Sequence, residues 1–429
     1  MSSADATVAN PEERDPFEAF NEAMGAGFVT DPYPELAELR KQGGLVPMDL
    51  GMLTGEEAGE GEEPQEVEAI VGIEDMPAVF IAASYEAVHQ VLRDGDTFSS
   101  KGYEEVMGAV FGHSILEMDE PEHRTYRGLI QQAFTRKAME WWEAELVQPI
   151  VDRLIDEFVA EGQVDLVRAL TFPFPMYTIA GMLGLPDDDL DRFHRLAVEM
   201  ISVSFDMDLA LRSSAELGTW FDGLAAERRG GDGRDLISVL GRAELDGQHL
   251  TDQEITAFCR LLLTAGAETT YRSSSNLLFG LLSHTDQLDA VRDDRSLLPQ
   301  AIEEALRWEP PLLIILRTAT RDVEVAGVTV PEDGVVVTNL GSANHDDARW
   351  DEPERFDIFR EQQPHIAFAT GPHMCLGMHL ARMETTVVVN AVLDRLADVR
   401  IDPDAAAPFI TGQTFRAPSA LPVVFTPPS

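Results

Sequence analysis

The sequence predicts a mainly α fold with small β-sheets. Three observations carry this. Three long stretches read as helix, Met139–Glu161, Ile255–Leu282 and Leu376–Leu396. Val-rich pieces of strand length are few and gather late, at Val323–Val330, Val335–Asn339 and Leu421–Phe425. The chain carries neither an internal repeat nor regular βα alternation.

Taken in order, residues 1–30 form a loose polar segment, and 31–429 are expected to make one domain. Pro32 and Pro34 open a helix over Glu35–Gln42. Between Gln42 and Leu92 there is no Lys or Arg, and Gly55–Glu68 holds seven glutamates among Gly and Pro. That composition cannot bury a core, so 55–68 is expected to be an exposed acidic loop where a tight hairpin would be commoner. Ala78–Ala82 reads as a strand and Tyr85–Leu92 as a helix. Asp119–Phe134 starts with acids and a proline, a helix opening. Met139–Glu161 spaces Trp142, Leu146, Ile150, Leu154, Ile155 and Phe158 near 3.6 residues per turn. Pro173 and Pro175 punctuate the next stretch, and Pro186-Asp187-Asp188 starts another helix. Thr251-x-x-Glu254 is a capping box before Ile255–Leu282, a helix long enough to cross a large domain. Gly341–Pro364 is irregular, and Leu376–Leu396 closes the helical part.

Of 429 residues, 44% are hydrophobic and 25% charged, which excludes wholesale disorder and fibrous classes. No apolar run approaches the roughly 18 residues of a membrane span. The first thirty residues lack a signal-peptide pattern, and the cytoplasm is the expected compartment. Two cysteines, Cys259 and Cys375, exclude a disulfide scaffold. The net charge, 32 − 76 = −44, repels phosphate backbones, so nucleic acid is not an expected partner.

The chemistry concentrates in Phe368-Ala-Thr-Gly371-Pro-His373-Met-Cys375-Leu-Gly377-Met-His-Leu380-Ala381-Arg382. A cysteine ends a Gly-containing loop directly before a helix, whose N-terminal N–H groups favour a thiolate. Gly371 suits a tight turn with positive φ, and Gly377 lets something flat approach the backbone. Taken alone, the residues also allow a buried structural cysteine or a nucleophile, although no Cys-His-Asn arrangement accompanies it.

The segment resembles the haem-binding signature of the cytochrome P450 family, F-x-x-G-x-[HR]-x-C-x-G-x-x-L-A. One common variant has Gly where this chain has Ala369. The resemblance runs from about Asp31 to the C-terminus and implies the cytochrome P450 fold. There a long central helix lies over haem b (iron protoporphyrin IX) and Cys375 is the iron's axial thiolate. Ala265-Gly266-Ala267-Glu268-Thr269-Thr270 resembles the family's oxygen-activation motif. Ala265 and Gly266 would leave room for haem and dioxygen, Thr269 would donate a hydrogen bond to the bound oxygen, and Glu268 would relay protons. Glu304-Ala-Leu-Arg307 matches E-x-x-R. With Arg355 of Pro353-Glu-Arg355-Phe356, it implies a buried structural triad. His123 and Arg127, four residues apart on one helix face, Arg317 and His373 are implied to hold the haem propionates. Cys259 reads as packing.

By family position, the substrate pocket draws on Met107, Phe111, Leu261, Leu313, Ile314 and Phe415. An apolar lining implies a hydrophobic small molecule such as a fatty acid, terpene, steroid or polyketide. The expected function is a monooxygenase that hydroxylates or epoxidises such a substrate with O2. The nearest resemblance is to soluble bacterial members fed by a ferredoxin and its reductase. No nucleotide fingerprint or cluster-binding cysteine set is present in the sequence. Arg124, Arg127, Arg136 and Lys137 are a candidate docking face. The alternatives are a peroxide-driven peroxygenase, a haem-thiolate sensor or electron carrier, and ring coupling or carbon–carbon cleavage by the same oxidant. Peroxygenases of the family typically replace the acid–threonine pair, which this chain keeps as Glu268 and Thr269.

Overall fold

The computed structural model describes residues 29–48, 77–186, 189–201 and 207–428. The acidic loop 55–68, most of segment 1–30 and Asp187-Asp188 lie outside the described residues.

Helices dominate what is described, and their ends follow local chemistry. Tyr33–Gln42 is opened by the expected prolines. Tyr85–Arg93 starts at Ser84, whose hydroxyl accepts the Ala87 N–H. The stretch Asp119–Phe134 is α-helical only over Glu122–Gln131. It tightens at its end, where the Ala133 and Phe134 N–H groups donate to carbonyls three residues back, each at 3.0 Å. Met139–Glu161 is likewise interrupted: Arg136–Trp142 passes through one π-helical turn, Glu143–Val147, into Gln148–Asp156. Two helices that the sequence reading did not bound, Leu190–Ile201 and Met207–Arg228, pack against each other. The second of them also packs on the start of the central helix.

The central helix opens with the predicted capping box at Thr251 and Glu254. It runs as Asp252–Leu262, a π-helical turn Leu263–Glu268, and Thr269–Ser283. It is buried nearly all round because it separates two apolar clusters. Leu261, Leu262, Leu263 and Ala267 pack with Ile179 and Phe258 on one side. Tyr271, Leu277 and Leu278 pack with Val387 and Val388 of the final helix, Met378–Arg395, on the other.

The main sheet has five strands in the spatial order Leu45–Pro47, Val79–Ala82, Val335–Asn339, Ile314–Ala319, Phe98–Ser99. Only the pair Val79–Ala82 and Val335–Asn339 is parallel. Val323–Val330, read as one strand, is a hairpin of Val323–Val325 and Val328–Val330. Ala326 and Gly327 both take positive φ, 50° and 80°, as a two-residue hairpin turn requires. Pro422–Thr426 lies between Gln163–Asp165 and Ala397–Ile401 in a three-stranded sheet. Gly341–Pro364 begins inside a short helix, Leu340–Asn344, capped by the Asn339 side chain, and is irregular beyond it.

Candidate functional site

The Cys375 loop is held by its own backbone. The Cys375 N–H donates to the Phe368 carbonyl at 2.9 Å, and the Met374 N–H to the Gly371 carbonyl at 3.1 Å. Gly371 takes φ 77°, and a Cβ there would stand 2.3 Å from the Leu92 carbonyl oxygen. Ala369 takes φ 58°, the position where a common family variant has Gly. That left-handed conformation costs an alanine about 1–2 kcal/mol. Gly377 caps the final helix, and a Cβ on it would meet nothing within 4 Å, so the backbone faces open space. Burial raises the Cys375 thiol above its ordinary range, outweighing the Gly377 N–H, Arg127 and Arg382, which pull it down. The helix end alone therefore does not secure the thiolate. A bound metal ion would, because coordination deprotonates a thiol outright.

A basic cluster lies beside this loop. The His123 and His373 rings stand 4.0 Å apart. His373 Nε2 meets the Ser100 hydroxyl at 3.1 Å. Arg127 Nη2 donates to the Met374 carbonyl at 2.6 Å, and buried Arg317 donates to the Leu316 carbonyl at 2.7 Å. Burial, then Arg317, His123 and Arg127, push the His373 imidazole down to about 3. His123 Nε2 is buried and has no hydrogen-bond partner. Four basic groups that repel one another and leave a buried ring nitrogen unpaired fit an anionic guest such as two propionates.

Opposite the loop, Ala265 is exposed although Leu261–Leu263 and Ala267-Glu268 on either side of it are buried. A flat group has room there, and with the open space at Gly377 and the basic cluster the site fits haem. Gly266 does not contribute as expected: its missing Cβ would meet Ile179 Cδ1 at 3.2 Å, so its small size serves helix packing. The Thr269 hydroxyl donates to the Ala265 carbonyl at 2.7 Å, the competition for a helix carbonyl that its position predicted. Glu268 is buried. One carboxylate oxygen accepts from Arg272 Nη2 at 3.2 Å and the other has no partner. Burial raises this carboxyl to about 7 against the pull of Arg272.

Sequence reasoning missed Arg272, although its i+4 spacing from Glu268 was the available signal. Arg272 also donates to the Phe415 carbonyl at 3.3 Å. It likewise missed Glu384 on the final helix, a fully buried carboxyl raised to about 8 by burial and bonded to the Thr270 side chain.

Glu304 and Arg307 form the expected buried pair, with two bonds of 2.8 Å. The third member differs from expectation. The Arg355 side chain is 59% exposed and faces Glu352 and Asp357; only its carbonyl accepts from Arg307. Arg360 takes the place, its Nε 3.3 Å from Glu304 Oε1. Three backbone carbonyls, of Asn344, Pro353 and Arg355, already occupy the Arg307 guanidinium, which leaves Arg355 only a main-chain role.

Of the pocket residues, Met107, Ile314 and Phe415 are partly exposed and Leu261 barely so. Phe111 and Leu313 are not on an open wall. Phe111 is buried in the cluster around Leu129 and Phe258. Leu313 lies against Gly341, where an added Cβ would stand 2.5 Å from its Cδ2. Cys259 is fully buried, as packing requires.

Comparison with known proteins agrees with this geometry. The cytochrome P450 family model matches residues 224–414. The chain is 34% identical over 388 residues to the cytochrome P450 monooxygenase PikC of Streptomyces venezuelae, covering 89% of this chain and 87% of that one. It is 34% identical over 360 residues to a steroid C26-monooxygenase of Mycobacterium tuberculosis, covering 82% and 96%. Among solved structures it is similar to CYP109E1 of Bacillus megaterium in complex with testosterone. That match has a TM-score of 0.78 and 29% identity, covering 92% of this chain and 99% of that one. CYP109Q5 of Chondromyces apiculatus matches with a TM-score of 0.80 and 31% identity, covering 93% and 96%.

Proposed function

Because the chain belongs to the cytochrome P450 family, as a haem b monooxygenase of hydrophobic small molecules, we propose that Cys375 is its iron ligand and that Glu268 and Thr269 deliver its protons. Bound haem supplies dioxygen activation, with one oxygen atom going to substrate and the other leaving as water. The residues do the rest. The Cys375 sulfur would hold the iron, and His123, Arg127, Arg317 and His373 would hold the propionates.

The observation that carries the relay is the unpartnered, buried oxygen of Glu268. A carboxyl near 7 both takes and gives a proton at working pH. In the relay the Thr269 O–H, which here donates to the Ala265 carbonyl, would hand its proton on and take one from the Glu268 carboxyl in its place. The retained acid–threonine pair supports dioxygen rather than peroxide as oxidant.

The substrate is read as steroid- or polyketide-sized. A relative is named for steroid oxidation, a neighbour was solved with testosterone, and Met107, Leu261, Ile314 and Phe415 are all apolar. Electrons are proposed to come from a ferredoxin docking near Arg124, Arg127, Arg136 and Lys137. The side chains of Arg124 and Arg136 are 80% and 93% exposed, though each pairs with a glutamate. First-electron transfer that speeds up with rising ionic strength would count against that face. Two unpaired thiols fit a reducing cytoplasm.

The test of the ligand is Cys375→Ala. The reduced, CO-bound protein should lose the thiolate-type Soret band and all monooxygenase activity. Retention of that band would overturn the assignment.

A further inference from the structure

We propose that Glu303 is a positioning residue that sets the charge felt by the Cys375 sulfur, acting through Arg382, His365 and Phe368, and so tunes how readily bound haem accepts an electron. The proposal rests on Cys375 being the iron ligand.

Glu303 neighbours Glu304 on the helix Leu298–Trp308, but one residue is about 100° around a helix, so the two serve different partners. Arg382 stands seven residues after Cys375, in the second turn of the final helix. Its Nε and Nη2 donate to the two Glu303 oxygens at 2.6 and 2.8 Å, a planar two-point clamp. His365 adds a third contact, Nε2 to Glu303 Oε2 at 3.2 Å. The Ala367 N–H donates to His365 Nδ1 at 3.1 Å, so Nδ1 carries no proton and Nε2 is the donor.

Both groups flank one ring. The Arg382 guanidinium carbon is 4.5 Å from the Phe368 ring centroid, and the His365 ring is 6.0 Å from it. Phe368 in turn accepts the Cys375 N–H. A single carboxylate therefore holds both polar groups that flank the Phe368 ring. Burial would raise the Glu303 carboxyl, but the Arg382 and His365 donors outweigh it and bring it to about 2, so it stays ionised at any working pH.

The site thus clamps a carboxylate on Arg382, whose positive charge acts on the sulfur. Reduction of the iron adds negative charge. A nearby cation favours that step and an anion opposes it, more strongly than in bulk water because the site is partly buried. Glu303 and Arg382 therefore act with opposite signs.

The experiment is spectroelectrochemical measurement of the ferric/ferrous potential of the holoprotein. Glu303→Gln should shift it positive and Arg382→Met negative, and the double variant should return close to the parent. Glu303→Asp, which keeps the charge, should stay near the parent. If the two residues only kept the loop in order, both single variants would open the sulfur to water, shift the potential in the same direction and fail to cancel. That outcome overturns the proposal, as does a Glu303→Gln potential equal to the parent's. Should either variant not retain haem, the sign shown by the other decides alone. The CO-bound Soret band is recorded for the parent first. Its absence there would sink the ligand reading, and its presence with same-sign shifts would sink only the role of Glu303.

Discussion

Two buried Glu–Arg pairs, one turn apart along their helices, do opposite things in this protein. Glu304–Arg307 is saturated. The glutamate receives two bonds from Arg307, one from the Asp357 N–H at 3.0 Å and one from Arg360, while Arg307 spends its remaining donors on three carbonyls. Glu268–Arg272 is half made, with one contact of 3.2 Å and one buried oxygen left over. Burial is equal in the two, so it is hydrogen-bond supply that separates a brace from a proton store. A desolvated carboxylate with a spare oxygen, as at Glu268, gains from taking a proton.

That contrast breaks most visibly at Glu304. Glu304→Gln leaves the Arg307 charge buried without its counter-ion, and about 3 kcal/mol of stability should be lost, with haem retention, in a denaturant titration. A loss below about 1 kcal/mol would make the two pairs equivalent.

At Glu268 the effect should fall on chemistry. Glu268→Gln should slow turnover by about 100-fold and remove its pH dependence near 7, with haem binding unchanged. Stability should move in the opposite sense to Glu304→Gln. The folded carboxyl titrates near 7 and the unfolded one near its ordinary 4.5. Between those values the native state holds a proton that the unfolded state has released, so stability declines as pH rises through that window. The amide has no such decline, and the variant's melting temperature should be flatter from pH 5 to 7. A variant as pH-sensitive as the parent would remove Glu268 from the relay.

The comparison is sharpened by Arg360→Ala against Arg355→Ala. The first should cost about 1–2 kcal/mol by removing a bond from a buried carboxylate. The second should cost less than about 0.5 kcal/mol, since its side chain faces solvent. A small effect of opposite sign is expected at Ala369→Gly, which relieves a left-handed alanine in the Cys375 loop. A net gain of about 0.5–1 kcal/mol should remain after the added freedom of the unfolded chain is subtracted.

Much of this site was legible because it rests on short-range rules. Thr251 marked a helix start through its side-chain cap, and Gly371 marked a turn that only glycine enters without strain. Spacing placed His123 and Arg127, or Glu304 and Arg307, on one face before any fold was known. Most of the failures were long-range. Arg355 and Arg360 look alike as sequence, and only the path of the irregular segment after Trp350 decides which one reaches Glu304. Gly266 was read as room for haem because a missing side chain does not say which way it would have pointed. Phe111 and Leu313 are apolar whether they line a pocket or fill a core.

By itself, then, the chain determined its helical character, its cysteine loop and the acid–alcohol pair, because caps, periodicity and residue type act over a few bonds. Tertiary structure alone decided which charges are shared and which are left short. That depends on how many donors distant segments bring to one carboxylate, and for Glu268, Glu303 and Glu304 the numbers differ although the residue does not.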